Sequence, residues 1–166
     1  MSRSNTEEES TLDKVLPWIG VPARLLVGIV WIAAGALKVT DLNQSIHAVQ
    51  AYQILPSGLA EAVGIVLPLI ELAIGALLVV GLATMPAAVI SGLLFIAFII
   101  GISSAWARGL QIDCGCFGSG GQLADGVDPN YFWEIMRDVG LLLCSALLMW
   151  RPRTKFSVDG LLFKTK

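Results

Sequence analysis

Two cysteines, Cys114 and Cys116, flank one glycine in the run Asp113-Cys114-Gly115-Cys116-Phe117-Gly118. The thiolate is the nucleophile of disulfide exchange, and accessible loop cysteines are the ones that can be attacked. Gly115 carries no side chain to resist a tight turn, so a Cys114–Cys116 disulfide is sterically allowed. So small a ring removes little unfolded-chain entropy and is strained, which makes it reducible and exchange-active. A static disulfide or an idle thiol pair is the plain alternative. A metal role is weakly supported, because one Cys-x-Cys supplies two ligands where structural zinc takes four. The third cysteine, Cys144, lies in an apolar run and reads as a small buried hydrophobe.

A second set of reactive groups stands where charge is expensive. Lys38, Glu71, Arg137 and Asp138 all fall inside or at the edge of long apolar segments. An ionisable side chain in hydrocarbon costs several kcal/mol unless paired, about 2.5–3.5 on insertion scales, and is a functional candidate by default. Arg24, Gly28, Trp31, Gly35 and Lys38 recur at helical spacing and form one stripe that should face neighbouring helices. Gly64, Pro68, Glu71 and Gly75 form a second stripe, and Arg137, Gly140 and Cys144 a third. Glu71 is expected to pair with Lys38 or Arg137, with Leu78 on the lipid side. The cluster reads as an ion-pair network fixing helix neighbours, or as a polar pocket for protons or a ligand. Arg24, His47 and Tyr52 are further candidates: Arg24 as an inner-side cation, His47 as a proton relay or a polar-face residue, Tyr52 as an anchor.

The elements that must carry these groups are long and greasy. The chain has 166 residues, 55% hydrophobic and only 14% charged, with mean hydropathy +0.75. Soluble domains carry about 25% charged residues. The chain therefore reads as an all-α integral membrane four-helix bundle, with spans at about 21–39, 59–82, 85–107 and 131–150 in a membrane domain of 18–151. Residues 1–17 read as a polar cytoplasmic tail with Glu7, Glu8 and Glu9, not as a cleaved signal peptide. Residues 152–166 form a basic tail. Its lysines and arginines place both termini in the cytoplasm by the positive-inside rule, and the cysteine loop outside, where disulfides persist. Asp41 with Gln44 resembles a capping box, opening a short interfacial helix that ends at Pro56. No basic groove or stacking pattern suits nucleic acid.

These residues together resemble the MauE and DoxX-like group of small four-span bacterial membrane proteins. The shared features are Gly35-x-x-Lys38, Tyr52 with Leu55-Pro56, Pro68-x-x-Glu71, the Asp113–Gly118 run and Arg137-Asp138. The resemblance covers about Arg24 to Trp150. MauE-type proteins are linked to maturation of methylamine dehydrogenase, and DoxX-like relatives to thiosulfate:quinone oxidoreduction and membrane oxidoreductase complexes. It implies redox or protein-maturation work outside the bacterial inner membrane, carried on Cys114 and Cys116.

The expected function is thiol–disulfide exchange with an extracytoplasmic thioredoxin-like or disulfide-containing protein. By analogy with other four-helix membrane disulfide enzymes, a quinone near Lys38, Glu71 and Arg137 could take the electrons. The rivals are a non-enzymatic assembly subunit of an oligomer or larger redox complex, and a small-solute carrier. Four spans without a visible repeat are few for a carrier.

Overall fold

The computed structural model describes the backbone of residues 3–113, 121–122 and 130–150, and the side chains of 19–113 and 130–150. Five helices make up almost all of it: α1 (Arg3–Thr40), α2 (Leu42–Ala51), α3 (Ser57–Val80), α4 (Thr84–Ala107) and α5 (Tyr131–Trp150). Two short strands, β1 (Ile112–Asp113) and β2 (Gly121–Gln122), lie between α4 and α5. The backbone from Arg3 onward continues α1, so the segment expected as a tail is helical. The four long helices form a ring in which α1 packs on α3, α3 on α4, α4 on α5 and α5 back on α1, with α2 laid against α3.

Among the described residues, three helical segments are long and apolar enough to cross a membrane: Ile19–Thr40 of α1, α3 and α4. α5 has 20 residues but carries Glu134, Arg137 and Asp138 in its first half, which leaves it less apolar than a fourth span was expected to be. The protein is an all-α membrane protein.

The tightest contact is between α1 and α3, and glycines make it. A Cβ on Gly28 would lie 3.1 Å from the Gly75 carbonyl oxygen, and one on Gly35 2.9 Å from that of Pro68. Backbones approach this closely only without side chains, the usual device of membrane helix pairs. The antiparallel register brings the Gly28–Gly35 stripe onto the buried Gly64, Pro68, Glu71 and Gly75 stripe. Leu78 belongs to that stripe too: it is fully buried, not lipid-facing, because it lies seven residues, two helical turns, after Glu71. The lipid side of α3 instead carries residues such as Leu69, 57% exposed.

Pro68 also explains where α2 sits. Proline has no N–H, so the carbonyl four residues earlier, on Gly64, loses its helical donor. The Ser45 hydroxyl of α2 donates to that carbonyl at 2.8 Å. The absence of a side chain at Gly64 lets Ile46 pass close by. α2 opens as half of a capping box: Gln44 N–H donates to Asp41 Oδ1 at 3.0 Å, while the Asp41 N–H goes to the Lys38 carbonyl. It ends at Ala51, before the expected stop, because Gln53 turns into the left-handed region (φ 51°) and Pro56 serves as N-cap of α3.

Candidate functional site

The end of the bundle where α1 and α4 finish and α3 and α5 begin is closed by a network tied to Tyr131. α4 stops in a turn at Gly109 (φ 66°). The Tyr131 hydroxyl then accepts from the Ile112 N–H at 3.1 Å and donates to the Leu110 carbonyl. Ile112 and Tyr131 are buried with Ile102 and Ala105. β1 pairs antiparallel with β2, Ile112 opposite Gln122 and Asp113 opposite Gly121, and β2 rests against α2. The Arg108 guanidinium donates to the Tyr52 carbonyl, and the Tyr52 ring covers Gly101, so the α2–α3 connection is stitched to the same platform. Seven residues separate the two strands, and they include Cys114 and Cys116. Both cysteines lie outside the described residues; the backbone that leads into and out of their segment does not.

The charged cluster is buried deeper. Asp138 is seven residues past Tyr131, about 10 Å along α5. Lys38 Nζ contacts Glu71 Oε1 at 2.5 Å, joining α1 to α3. The same ammonium stands 5.4 Å from the centroid of the Phe98 ring, within cation–π reach. Glu71 is fully buried. Arg137 lies against its neighbour Asp138, with Nη2 and Nε at 2.9 and 3.0 Å from Oδ1. Glu71 therefore takes its cation from Lys38 and not from Arg137. Lys38 is also near enough to Asp138 to act on it electrostatically. The inward face of α5 is Asp138, Leu141, Ser145 and Leu148, one step round from the Arg137, Gly140 and Cys144 stripe; a Cβ on Gly140 would meet nothing.

Glu71, Arg137 and Asp138 line one cavity of about 10 Å³, walled on its apolar side by Trp31, Phe95 and Phe98. That space takes one water and not a quinone ring.

A further polar chain had no place in the sequence reading. Trp31 Nε1–H donates to Ser91 Oγ at 2.7 Å, Ser91 and Ser145 hydroxyls stand 3.1 Å apart, and Ser145 Oγ–H donates to the Leu141 carbonyl at 3.0 Å. It joins α1, α4 and α5 through the core. The hint in the sequence is a serine inside each of two apolar segments, Ser91 and Ser145, which also fits simple small-residue packing.

Arg24 is buried, but 14 residues before Lys38, about 21 Å along α1. His47 is exposed on α2. Tyr52 meets Arg108 through its carbonyl and Gly101 through its ring. Cys144 is half-buried against the main core.

Comparison with known proteins bears on this architecture directly. The family model for methylamine utilisation protein MauE matches residues 15–151. This chain belongs to the MauE family. A curated MauE relative, the methylamine utilization protein of Paracoccus denitrificans, is 31% identical over 107 residues. That alignment covers 64% of this chain and 58% of the relative, so the chain spans less than two thirds of that MauE protein's length. No solved structure matches.

Proposed function

We propose that this MauE-family protein is a membrane accessory factor of protein maturation that exchanges disulfides through Cys114 and Cys116. The observation that carries the reading is the fixed platform under the cysteine segment. β1 and β2 pair at its base, and Tyr131 holds the backbone that enters it. A segment held at both ends presents its residues to a partner with less ordering cost than a free loop of equal length. With α5 crossing the membrane as a fourth span, the basic C-terminal residues support an extracytoplasmic position for it, by the positive-inside rule.

In the proposed step a partner thiolate attacks one sulfur of the Cys114–Cys116 disulfide. A mixed disulfide forms and the other cysteine leaves as a thiolate. The partner's second thiolate then attacks the mixed disulfide. The partner ends as a disulfide, and Cys114 and Cys116 as thiols that have gained two electrons and two protons. An extracytoplasmic thioredoxin-like disulfide protein returns the pair to its oxidised form by the reverse sequence. Lys38, Glu71, Arg137 and Asp138 serve in this reading to fix the helices that carry the platform.

The experiment is mixed-disulfide trapping in cells, with Cys114→Ser and Cys116→Ser separately. One variant should accumulate a covalent, reductant-sensitive adduct with an extracytoplasmic protein. Absence of adduct from both, together with full maturation activity in the double variant, would move the protein to the scaffold class.

A further inference from the structure

We infer that the bundle is built as two units, α1–α2–α3 and α4–α5, which part along a seam that ends beneath the cysteine segment. α1 and α2 lie closely on α3, and α4 lies closely on α5; between the units, α1 meets α5 and α3 meets α4 over less of their length. The glycine contacts follow the same division. Among the described residues, a Cβ on Gly28, Gly35, Gly64, Gly75 or Gly92 would come within 3.3 Å of a neighbour in its own unit. Gly101 faces across the seam, and its Cβ would meet the Tyr52 ring at 3.4 Å, an ordinary van der Waals distance.

The seam is separable because each unit keeps its own ion pair, Lys38 with Glu71 in the first and Arg137 with Asp138 in the second. Parting the units therefore strands neither pair, the step that makes breaking a buried ion pair costly. What crosses is the Trp31 ring on Phe95, the Trp31 Nε1–H on Ser91, and Lys38 over the Phe98 ring. The small cavity lies on this seam, with Val30 and Trp31 on one side and Phe95 and Leu141 on the other. In lipid, apolar helix faces gain nothing by leaving water, so close packing and hydrogen bonds hold helices together. A contact that encloses a void is then the one that yields first. The chain passes between the units after α3, where Gly81 (φ 74°) and Ala83 (φ 51°) both take the left-handed region. A few residues at the end of an element are where hinge rotation is absorbed.

The other end of the seam carries the platform. β1 belongs to the second unit, through Leu110 and Ile112 on the Tyr131 hydroxyl, whereas β2 rests on α2 of the first. Arg108, donating to the Tyr52 carbonyl, clasps the units there. The strands that flank the cysteine segment thus stand on different units, and parting the seam draws them apart. This holds whether or not the cysteines exchange disulfides.

The test measures nitroxide–nitroxide distances by pulsed electron resonance on the full chain in lipid nanodiscs. The labels go on encoded ketone residues, so the native cysteines stay. Ile29 with Leu69 reports the first unit, Leu93 with Leu143 the second, and Leu69 with Leu143 the seam; all four positions are exposed. The cross-unit distribution should be broader than the other two. Ser91→Ala, which removes one buried hydrogen bond across the seam, should raise its long-distance component about fivefold. Ser91 is sixteen residues before Ala107, about 24 Å along α4, so it does not touch the platform. Hydrogen exchange in 112–113 and 121–122 should nevertheless rise by a similar factor, with 28–35 of α1 unchanged. Arg108→Ala, an exposed change, serves as the second variant should Ser91→Ala misfold. A cross-unit distribution as narrow as the within-unit ones in the native chain and the variants overturns the seam, and so does equal broadening of all three pairs. Exchange in 112–113 and 121–122 that stays flat while the cross-unit distance lengthens overturns the link to the platform.

Discussion

Replacing Glu71 with Gln removes the carboxylate and keeps the shape. Lys38 would then face an amide oxygen at a site where Glu71 itself is fully buried. Removing one partner of a buried ion pair costs about 3–5 kcal/mol, because the other charge stays behind uncompensated. The amide retains one hydrogen bond to the ammonium, worth about 1 kcal/mol. The expected net loss is therefore about 3 kcal/mol. For a chain of this length that is a fall in Tm of roughly 6–12 °C. The assay is thermal unfolding in detergent followed by tryptophan fluorescence, with SDS titration in mixed micelles for the free energy. Lys38→Met should cost a similar amount, and the double variant Lys38→Met/Glu71→Gln less than the sum of the two single changes. Leu69→Ala, on the lipid side of α3, is the control. A Glu71→Gln shift no larger than that of Leu69→Ala, or a strictly additive cycle, would refute the coupling.

Two further outcomes follow from particular contacts. Gly64→Ala places a Cβ 2.6 Å from the Ile46 backbone Cα, which cannot swing away. It should loosen α2 by about 1–3 kcal/mol, seen as faster hydrogen exchange in 42–51 with α5 unchanged. Tyr131→Phe deletes the hydroxyl that serves Leu110 and Ile112 and leaves a buried N–H without its acceptor, costing about 1–3 kcal/mol locally. Exchange at Ile112 and alkylation of reduced Cys114 and Cys116 should both accelerate; unchanged alkylation would mean that the platform does not control the cysteines.

The α1 and α3 stripes were legible because helical spacing and glycines act together: a face that carries glycine and charge has to point into the bundle. That logic also brought Lys38 and Glu71 within reach of each other. It failed for Leu78, where apolar character was read as lipid contact although its spacing from Glu71 places it in the core. It was one position off on α5, where Asp138 is the fully buried member of the pair and Arg137, on the cavity wall, stays partly exposed. Adjacent charges differ by about 100° in direction, so a short helix does not reveal which one is buried. The docking of α2 was hidden for another reason. Pro68 announces a carbonyl without a donor, but only the fold reveals that Ser45 supplies it. The Trp31–Ser91–Ser145 chain likewise depends on three helices meeting. The role of Tyr131 depends on a tertiary contact with Leu110 and Ile112, some twenty residues away.

The most direct measurement of the central claim is the redox equilibrium of Cys114 and Cys116. The purified protein is equilibrated in glutathione buffers of graded potential, the thiols are blocked by alkylation, and peptides are counted by mass spectrometry, with Cys144 as internal reference. A pair in exchange should titrate well above the roughly −300 mV below which structural disulfides lie. A pair that stays oxidised through strongly reducing buffers, or stays reduced in mildly oxidising ones, would contradict the disulfide-exchange account.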